Sequence, residues 1–262
     1  MFKNKKSHSF VSAKILQPRH PYYVFVYMTV IRLIFIGMAQ QVVLSFFTYT
    51  QNKFWAFTQM QRALPKLEQQ SGVLFFKTLG TGAGTGFSLW PDFSTYALLT
   101  VWKSKENATA FLKESSVMKA FILNSSTQKH FKLHPLQSHG LWGKTNPFEA
   151  SQRPLKDNEQ IGIITRATLR PSRLLEFWRA VPAASKAIQH AKGVLWYKGI
   201  GEWPMVQQAT FSIWNSLDDV KAFAYKSSAH AAIVKKTRKR NWYKEDLFAR
   251  FAVSPLLLKS NE

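Results

Sequence analysis

A histidine that occurs in only one of two matching segments is the first residue of this sequence that could do chemistry. The segments SSVMKAFI, beginning at Ser115, and SSAHAAIV, beginning at Ser227, read alike, but Met118 of the first is matched by His230 of the second. An imidazole can bind a metal ion or move a proton near neutral pH. The exchange therefore predicts a chemical site in the second segment only, and the alternative is a histidine with a purely structural role.

Small and basic residues surround His230 in a pattern that suits a large flat ligand. Ala229, Ala231 and Ala232 leave space beside the imidazole. On a helix, Arg238 would lie about 12 Å further along the axis, and guanidinium groups bind carboxylates well. A haem has both a flat ring and carboxylates. These neighbours make His230 a candidate axial ligand of a haem iron and Arg238 a candidate partner of a haem propionate, and a structural histidine stays the alternative.

Arg166 and Thr168, in the segment TRAT, form a second candidate site. The alternation of a β-strand points both side chains to one face of a sheet, which we expect to be the interior of a barrel. A buried guanidinium needs an anionic partner, and a haem propionate would supply one. Arg166 and Thr168 are therefore predicted as catalytic residues. The alternative is an ordinary salt bridge between Arg166 and an acid such as Glu202 or Glu245.

Several other chemistries lack the residues that they require. The chain contains no cysteine, which excludes disulfides, thiolate nucleophiles, iron–sulfur ligation and covalent haem attachment. His130, His134 and His139 have no carboxylate or cysteine neighbours in sequence that would complete a zinc site. His190 is expected at a helix end, where a positive charge is favourable. The G-x-S-x-G elbow of Ser/His/Asp hydrolases does not occur.

The charge balance predicts an anionic partner. The chain has 36 Lys and Arg against 14 Asp and Glu, a formal net charge of +22. Such an excess suits nucleic acid, an anionic membrane surface or an acidic protein, or it serves solubility alone. No nucleic-acid-binding fingerprint accompanies the charge, and the aromatic residues mostly lie in apolar runs. We therefore expect a membrane surface, and not nucleic acid, as the partner.

An internal repeat organises the fold. Gly72 and Trp102 of the first half are matched by Gly193 and Trp214 of the second, and a Gly-rich hairpin loop makes the first copy longer by nine residues. Each copy reads strand, helix, strand, strand, helix, strand, which is the ferredoxin-like βαββαβ unit. Both helices of such a unit cover one face of its sheet, so two fused copies can cover each other's open faces. We predict an α+β protein whose tandem ferredoxin-like repeats form a pseudo-dimeric α/β barrel with a cavity inside.

The same pattern sets the predicted boundaries. These are an N-terminal basic and apolar extension (1–39), the first repeat (40–136), a linker (137–159), the second repeat with the haem site (160–255) and a tail (256–262). Three interpretations of the extension stay open. It is a segment upstream of a true start at Met28 or Met38, a membrane-anchoring or interfacial segment, or a signal peptide.

Several long segments resemble the spheroidene monooxygenase family of bacterial carotenoid oxygenases. They are QVVLSFFTYTQNKFWAFTQM, LGTGAGTGF, ITRATLRPSRLLEFWRAVP, YKGIGEWPMVQQATFSIW and HAAIVKKTRKRNWYKEDLFARF, and the resemblance runs from about Gln40 to Val253. It implies insertion of oxygen at C2 of an acyclic, spheroidene-like carotenoid end, which gives a hydroxyl and then a keto product. It also implies a haem b cofactor with its iron, O2 and a ferredoxin-type electron donor, and it matches His230 to the family's histidine in this segment.

The predicted function is therefore a haem-dependent monooxygenase of carotenoid biosynthesis. A carotenoid is wholly apolar and must be taken from a bilayer, a step that a basic surface would assist. We expect a cytoplasmic protein at the periphery of the inner membrane, with an N-terminal anchor as an alternative. Two other functions stay open: a cofactor-free monooxygenase of the same fold, and a non-catalytic carrier of lipid or haem.

Overall fold

The computed structural model describes residues 40–84, 88–151, 153–156, 159–226, 235–237 and 239–256. The first repeat contains β1 (Gln41–Thr48), α1 (Lys53–Arg62), α2 (Leu64–Glu68), β2 (Val73–Gly82), β3 (Pro91–Trp102), α3 (Lys105–Glu114), α4 (Ser116–Asn124) and β4 (Thr127–Gly140). The second contains β5 (Gln160–Leu169), a 3-10 turn (Pro171–Arg173), α5 (Leu174–Gln189), β6 (Val194–Trp203), β7 (Gln207–Trp214), α6 (Leu217–Lys221), a π-helical turn (Ala222–Lys226) and β8 (Tyr243–Leu256).

The eight strands close into one antiparallel barrel in the order β1-β3-β2-β6-β7-β5-β8-β4. Within each repeat the strand order is that of a ferredoxin-like sheet. Two seams join the repeats: β4 pairs with β8, and β2 pairs with β6. Each seam joins the same strand of both repeats, as in a twofold-symmetric dimer. The predicted fold class, a pseudo-dimeric α/β barrel of tandem ferredoxin-like repeats, is confirmed.

Matching hydrogen bonds show that the two repeats are built in the same way. Trp102 Nε1 donates to Thr100 Oγ1 at 2.8 Å, and Trp214 Nε1 donates to Ser212 Oγ at 2.9 Å. All four residues are buried. Trp102 and Trp214 therefore occupy equivalent places at the ends of β3 and β7.

The helix that follows each of these strands begins with the same cap. Ser104 Oγ accepts from the backbone N–H of Asn107 at 3.3 Å, and Ser216 Oγ accepts from that of Asp219 at 3.1 Å. Such caps satisfy donors that the first turn of a helix leaves without partners. The repeat therefore extends from the strand order down to single caps.

Apolar side chains fill the middle of the barrel. Phe46, Phe131, Trp196 and Phe211 form a cluster whose ring centroids lie between 4.9 and 6.4 Å apart. An eight-stranded barrel is just wide enough for side chains of this size to fill it. We expected a cavity at this place, and among the described residues a packed core occupies it. The space for a large ligand must therefore be sought on the outer, helix-facing side of the sheet.

The helices cover that outer side differently in the two repeats. In the first repeat one large buried cluster joins the sheet to the helices and includes Phe47, Leu98 and Phe121. In the described part of the second repeat, the buried contacts divide into two small clusters, one around Trp214 and one around Trp242. Within the ranges described above, no helix is both long and apolar enough to cross a bilayer.

Candidate functional site

The strand registers define which positions of the two half-sheets correspond. Trp102 pairs with Gln41, and Trp214 pairs with Ile161. Counting from these pairs matches β1 to β5 and β3 to β7, and the pairings of β2 and β6 extend the match to the second strand of each repeat. Each helix-facing residue of the second repeat can therefore be compared with its counterpart in the first.

At four matched helix-facing positions the second repeat has a side chain that is smaller or more polar. The pairs are Phe47 and Ala167, Leu98 and Thr210, Tyr96 and Gln208, and Thr78 and Gly199. In the first repeat Phe47, Tyr96 and Leu98 are buried beneath helices. Their replacement removes apolar volume from the corresponding layer of the second repeat. At these four positions the second half-sheet thus carries less apolar side-chain volume than the first, although Ala167 and Thr210 are only 7% and 8% exposed.

Exposure at the centre of this surface supports the same conclusion. Thr165, in the middle of β5, is exposed to solvent, whereas its counterpart Ser45 is only 1% exposed. Thr165 Oγ1 lies 2.7 Å from Thr210 Oγ1, so the two hydroxyls form a hydrogen-bonded pair. Central positions of a sheet beneath a helical layer are normally covered. Thr165 is therefore the position at which this surface opens to solvent, and its hydroxyl is paired there with the buried hydroxyl of Thr210.

We name this surface the β5–β7 depression and define it by Thr165, Ala167, Gly199, Gln208 and Thr210. None of these residues was predicted from the sequence. The internal repeat contained the signal, because a comparison of β1 with β5 would have shown Phe47 opposite Ala167. That comparison required the strand register, which the sequence alone leaves ambiguous by one or two residues.

The predicted haem ligand and its propionate partner lie outside the described residues. His230 and Arg238 both fall in gaps of the described ranges, so their haem-binding roles remain predictions. The counterpart of His230 in the first repeat is described. This residue, Met118 on α4, is fully buried in the cluster between helix and sheet. Met118 therefore has a structural place in the core of the first repeat.

Arg166 lies among carboxylates at one end of the barrel and is only 4% exposed. Its Nη1 donates to Glu245 Oε1, and its Nη2 lies 3.5 Å from Glu202 Oε1. Its Nε is buried and has no hydrogen-bond partner among the described residues. The structure thus contains the salt bridge that was the alternative interpretation, and it uses both of the named acids. A catalytic role for Arg166 remains a prediction.

The two carboxylates that contact Arg166 also bind other parts of the chain. Glu202 Oε2 lies 2.5 Å from Lys77 Nζ of the first repeat. The Glu245 carboxylate accepts from the backbone N–H groups of residues 143 and 144 at 3.0 and 2.8 Å. Burial alone would raise the pKa of Glu245, but these N–H groups and the Arg166 guanidinium hold it below its usual value. The cluster joins both repeats and the segment after β4.

Thr168 is half-buried on β5, two residues beyond Arg166, and pairs with Gln207 on one side and Glu245 on the other. The structure therefore brings Arg166 and Thr168 together on one strand, as predicted. By strand alternation they lie on the opposite face of the sheet from Thr165 and Ala167. A catalytic role for Thr168 likewise remains a prediction.

A buried histidine in the first repeat, His130, was not predicted to have a chemical role. His130, on β4, is 6% exposed, and its Nδ1 lies 2.8 Å from Ser45 Oγ. Its Nε2 has no partner among the described residues. Burial lowers the pKa of His130 to about 4, so the imidazole is neutral at physiological pH. The described residues contain no group of three or more His, Cys, Asp or Glu side chains that could hold a metal ion.

Comparisons with known proteins agree with the fold and define the family. No protein-family model matches the chain. A curated spheroidene monooxygenase from Cereibacter sphaeroides is 32% identical over 217 residues, which are 82% of this chain and 67% of that protein. A second, from Rhodobacter capsulatus, is 31% identical over 207 residues, 78% of this chain and 86% of that protein.

Among solved structures, an aldoxime dehydratase in complex with butyraldoxime is similar with a TM-score of 0.51 and 11% identity, over 83% of this chain and 82% of that one. At this identity the likeness concerns the fold alone. The sequence identity to the two curated proteins extends over most of both repeats. The chain therefore belongs to the spheroidene monooxygenase family.

Proposed function

We propose that the protein is a haem-dependent monooxygenase that inserts oxygen at C2 of an acyclic, spheroidene-like carotenoid end. Each insertion consumes one O2, two electrons and two protons, places one oxygen atom in a C–H bond and releases the other as water. A second insertion at the same carbon gives a geminal diol, which loses water to form the ketone. The proposed source of the electrons is a ferredoxin-type protein. Membership of the family supports the carotenoid substrate and the use of O2.

The observation that carries the haem proposal is the β5–β7 depression. A haem is flat and large, and it needs a layer from which side-chain volume has been removed. Ala167, Gly199 and Thr210 leave such volume, and the first repeat fills the matched positions with Phe47, Thr78 and Leu98. The smaller side chains at these positions support a haem between the sheet and helices of the second repeat, and the larger side chains of the first repeat argue against a haem there.

Haem, when bound, would supply the activation of O2, and the protein's residues would orient and protect the site. His230 is the proposed axial ligand, and Arg238 the proposed partner of a propionate. The hydroxyls of Thr165 and Thr210 offer hydrogen bonds to a polar group in the depression. The apolar neighbours around Trp214 and Trp242 exclude water from its edges.

Haem binding in the β5–β7 depression can be tested by replacing its residues with the larger residues at the matched positions of the first repeat. We expect wild-type protein, expressed with ample haem, to show a Soret band after purification. Ala167→Phe should lose most of that band, because the phenyl ring occupies the proposed space. Gln208→Tyr, at a more exposed position, repeats the test with less risk to folding. Far-UV circular dichroism should remain native-like in both variants.

The reverse change in the first repeat is the matched control. Phe47→Ala should reduce the free energy of unfolding by about 3–5 kcal/mol, because it leaves a void in a packed cluster, but it should keep the Soret band. A colourless wild-type protein that still oxidises carotenoid would favour a cofactor-free monooxygenase. A haem-containing protein that does not oxidise carotenoid with reductant and O2 would favour a carrier. A full Soret band in Ala167→Phe would place the haem elsewhere.

A further inference from the structure

One end of the barrel carries a group of exposed apolar side chains that the proposed chemistry does not use. Phe54 and Phe57 on α1, together with Leu89, Trp90 and Phe93 at the start of β3, are all exposed, and the exposed fractions of Phe54, Trp90 and Phe93 are 79%, 73% and 60%. We name these five residues the hairpin rim. Exposed aromatic residues in such a number are unusual on a protein that meets only water.

Contacts bring the two parts of the hairpin rim to the same end of the barrel. The end of β1 pairs with the start of β3 through Thr48 and Thr95. The next residue, Tyr49, donates its backbone N–H at 2.7 Å to the carbonyl of Ser94, the neighbour of Phe93. The Tyr49 ring lies 6.2 Å from that of Trp55, the neighbour of Phe54. Phe54 and Phe93 are therefore linked through a short chain of direct contacts.

The segments that form this end are basic. Residues 48–62, 88–96 and 127–133 contain three lysines and one arginine, and Asp92 is their one acidic residue. The Asp92 carboxylate is within 3.4 Å of Lys198 Nζ, so its charge is compensated. Lys53 precedes Phe54 directly, and Lys129 lies with its Nζ 5.6 Å from the Trp196 ring. Aromatic side chains and uncompensated positive charge are therefore adjacent.

The opposite end of the barrel has the same elements from the second repeat but a different surface. Trp203 and Met205 are exposed there, but the carbonyl of Met205 accepts from Trp178 Nε1, which ties this hairpin to α5. Glu202 and Glu245 lie at this end as well. Leu175 at the start of α5 is exposed as well, but carboxylates would oppose an anionic surface, so the two ends differ in charge.

We propose that the hairpin rim is the surface with which the protein enters the headgroup region of a bilayer that contains anionic phospholipid. The proposal rests on the proposed function, because a carotenoid substrate is dissolved in the bilayer. Aromatic side chains prefer the interface between headgroups and acyl chains, and lysines beside them bind anionic headgroups. An acidic protein partner would match the lysines and the aromatic side chains too, but it would not explain how a bilayer-dissolved substrate reaches the protein.

The absence of cysteine makes a direct test simple, because a single introduced thiol can be labelled without background. Trp90→Cys and, as the matched control, Trp203→Cys would each be labelled with an environment-sensitive fluorophore in the full chain. Vesicles of phosphatidylcholine with about 30% phosphatidylglycerol supply the anionic surface. We expect the label at position 90 to shift to shorter wavelength and to be quenched by lipids with spin labels near the headgroup. The label at position 203 should change little.

A second pair of variants measures affinity. Trp90→Ser with Phe93→Ser should weaken vesicle binding at least tenfold, whereas Trp203→Ser with Met205→Ser should leave it within twofold. Equal responses at positions 90 and 203, or no response at either while the protein still sediments with vesicles, would overturn the proposal. A shift of the label at position 90 with an acidic protein but not with vesicles would also overturn the proposal. None of these readouts needs haem or turnover, so failure of the proposed chemistry would leave the result interpretable.

Discussion

At the scale of single residues, the internal repeat shows which polar groups have a structural reason and which do not. Arg166 has two carboxylate partners, and His130 has Ser45, so both are integrated into the packing of the fold. Thr165 is different, because its counterpart Ser45 is covered whereas Thr165 is open to solvent. The residues that differ between the repeats, rather than those that are most buried, therefore indicate where the candidate site of the second repeat lies.

Removing the charge of Arg166 should destabilise the fold strongly. Arg166→Leu is expected to lower the free energy of unfolding by about 3–5 kcal/mol, because it leaves Glu202 and Glu245 without the buried guanidinium between them. Lys77→Met, which removes a more exposed partner of Glu202, should cost about 1 kcal/mol or less. Urea unfolding of both variants measures the difference.

The catalytic role predicted for Arg166 gives a second expected result for the Arg166→Leu variant. Carotenoid turnover should fall in Arg166→Leu even when it is expressed per folded molecule, which removes the effect of the lost stability. Loss of stability with unchanged turnover per folded molecule would leave Arg166 a purely structural residue.

Acid should destabilise the protein through His130. Its pKa is about 4 in the folded state, below the usual value near 6.5. Neutral His130 therefore contributes stability in full above about pH 6.5, and this contribution is lost as the pH falls towards 4, reaching about 3 kcal/mol. Phe248 is the matched residue of the second repeat, because it pairs with Thr165 as His130 pairs with Ser45. His130→Phe should therefore unfold with a weaker dependence on pH between 6.5 and 4. Identical pH dependence of the urea midpoint in both proteins would contradict this assignment.

At the scale of elements, the sequence predicted the strands well and the helices less well. The apolar runs gave the strands, because alternation and β-branched residues are local signals. One helix was expected after the first strand of each repeat, but the first repeat has α1 and α2 there, divided at Ala63 before Pro65, which lacks an N–H for the helix ladder. In the second helix of the second repeat, α6 ends at Lys221 and a π-helical turn follows to Lys226, and residues 227–234 lie outside the described residues. No local sequence signal predicts such a turn.

The turn before β6 should be sensitive to a single methyl group. Gly193 has a left-handed φ of 79°, and an added Cβ would meet the Asp219 side chain that helps to cap α6. Gly193→Ala should therefore cost about 2–4 kcal/mol, from backbone strain plus the clash. Gly84→Ala is the control, since Gly84 has a φ of 72° but open space around its Cα, and it should cost about 1 kcal/mol. Similar thermal midpoints for both variants would show that Asp219 moves aside without penalty.

At the scale of the whole molecule, duplication gave the barrel and divergence gave the candidate site. The barrel was predictable, because two ferredoxin-like sheets with open faces can cover each other in few ways. The depression was not, because it depends on the registers of β5, β6 and β7 and of the three matched strands β1, β2 and β3, and on side chains that are smaller rather than added. The packed barrel interior was also not predicted, since the sizes of facing side chains such as Phe46 and Phe211 combine only after the barrel has closed.

The most direct test of the central claim is the absorbance spectrum of His230→Ala beside that of Met118→Ala. The claim is that the second repeat alone binds haem, through His230, although both repeats share one fold. His230→Ala should therefore abolish or strongly shift the Soret band while its far-UV circular dichroism stays native-like. Met118→Ala should lose stability by about 2–5 kcal/mol and keep the wild-type spectrum. A wild-type Soret band in His230→Ala would contradict the account, and His139 and His190 would then be the next histidines to replace.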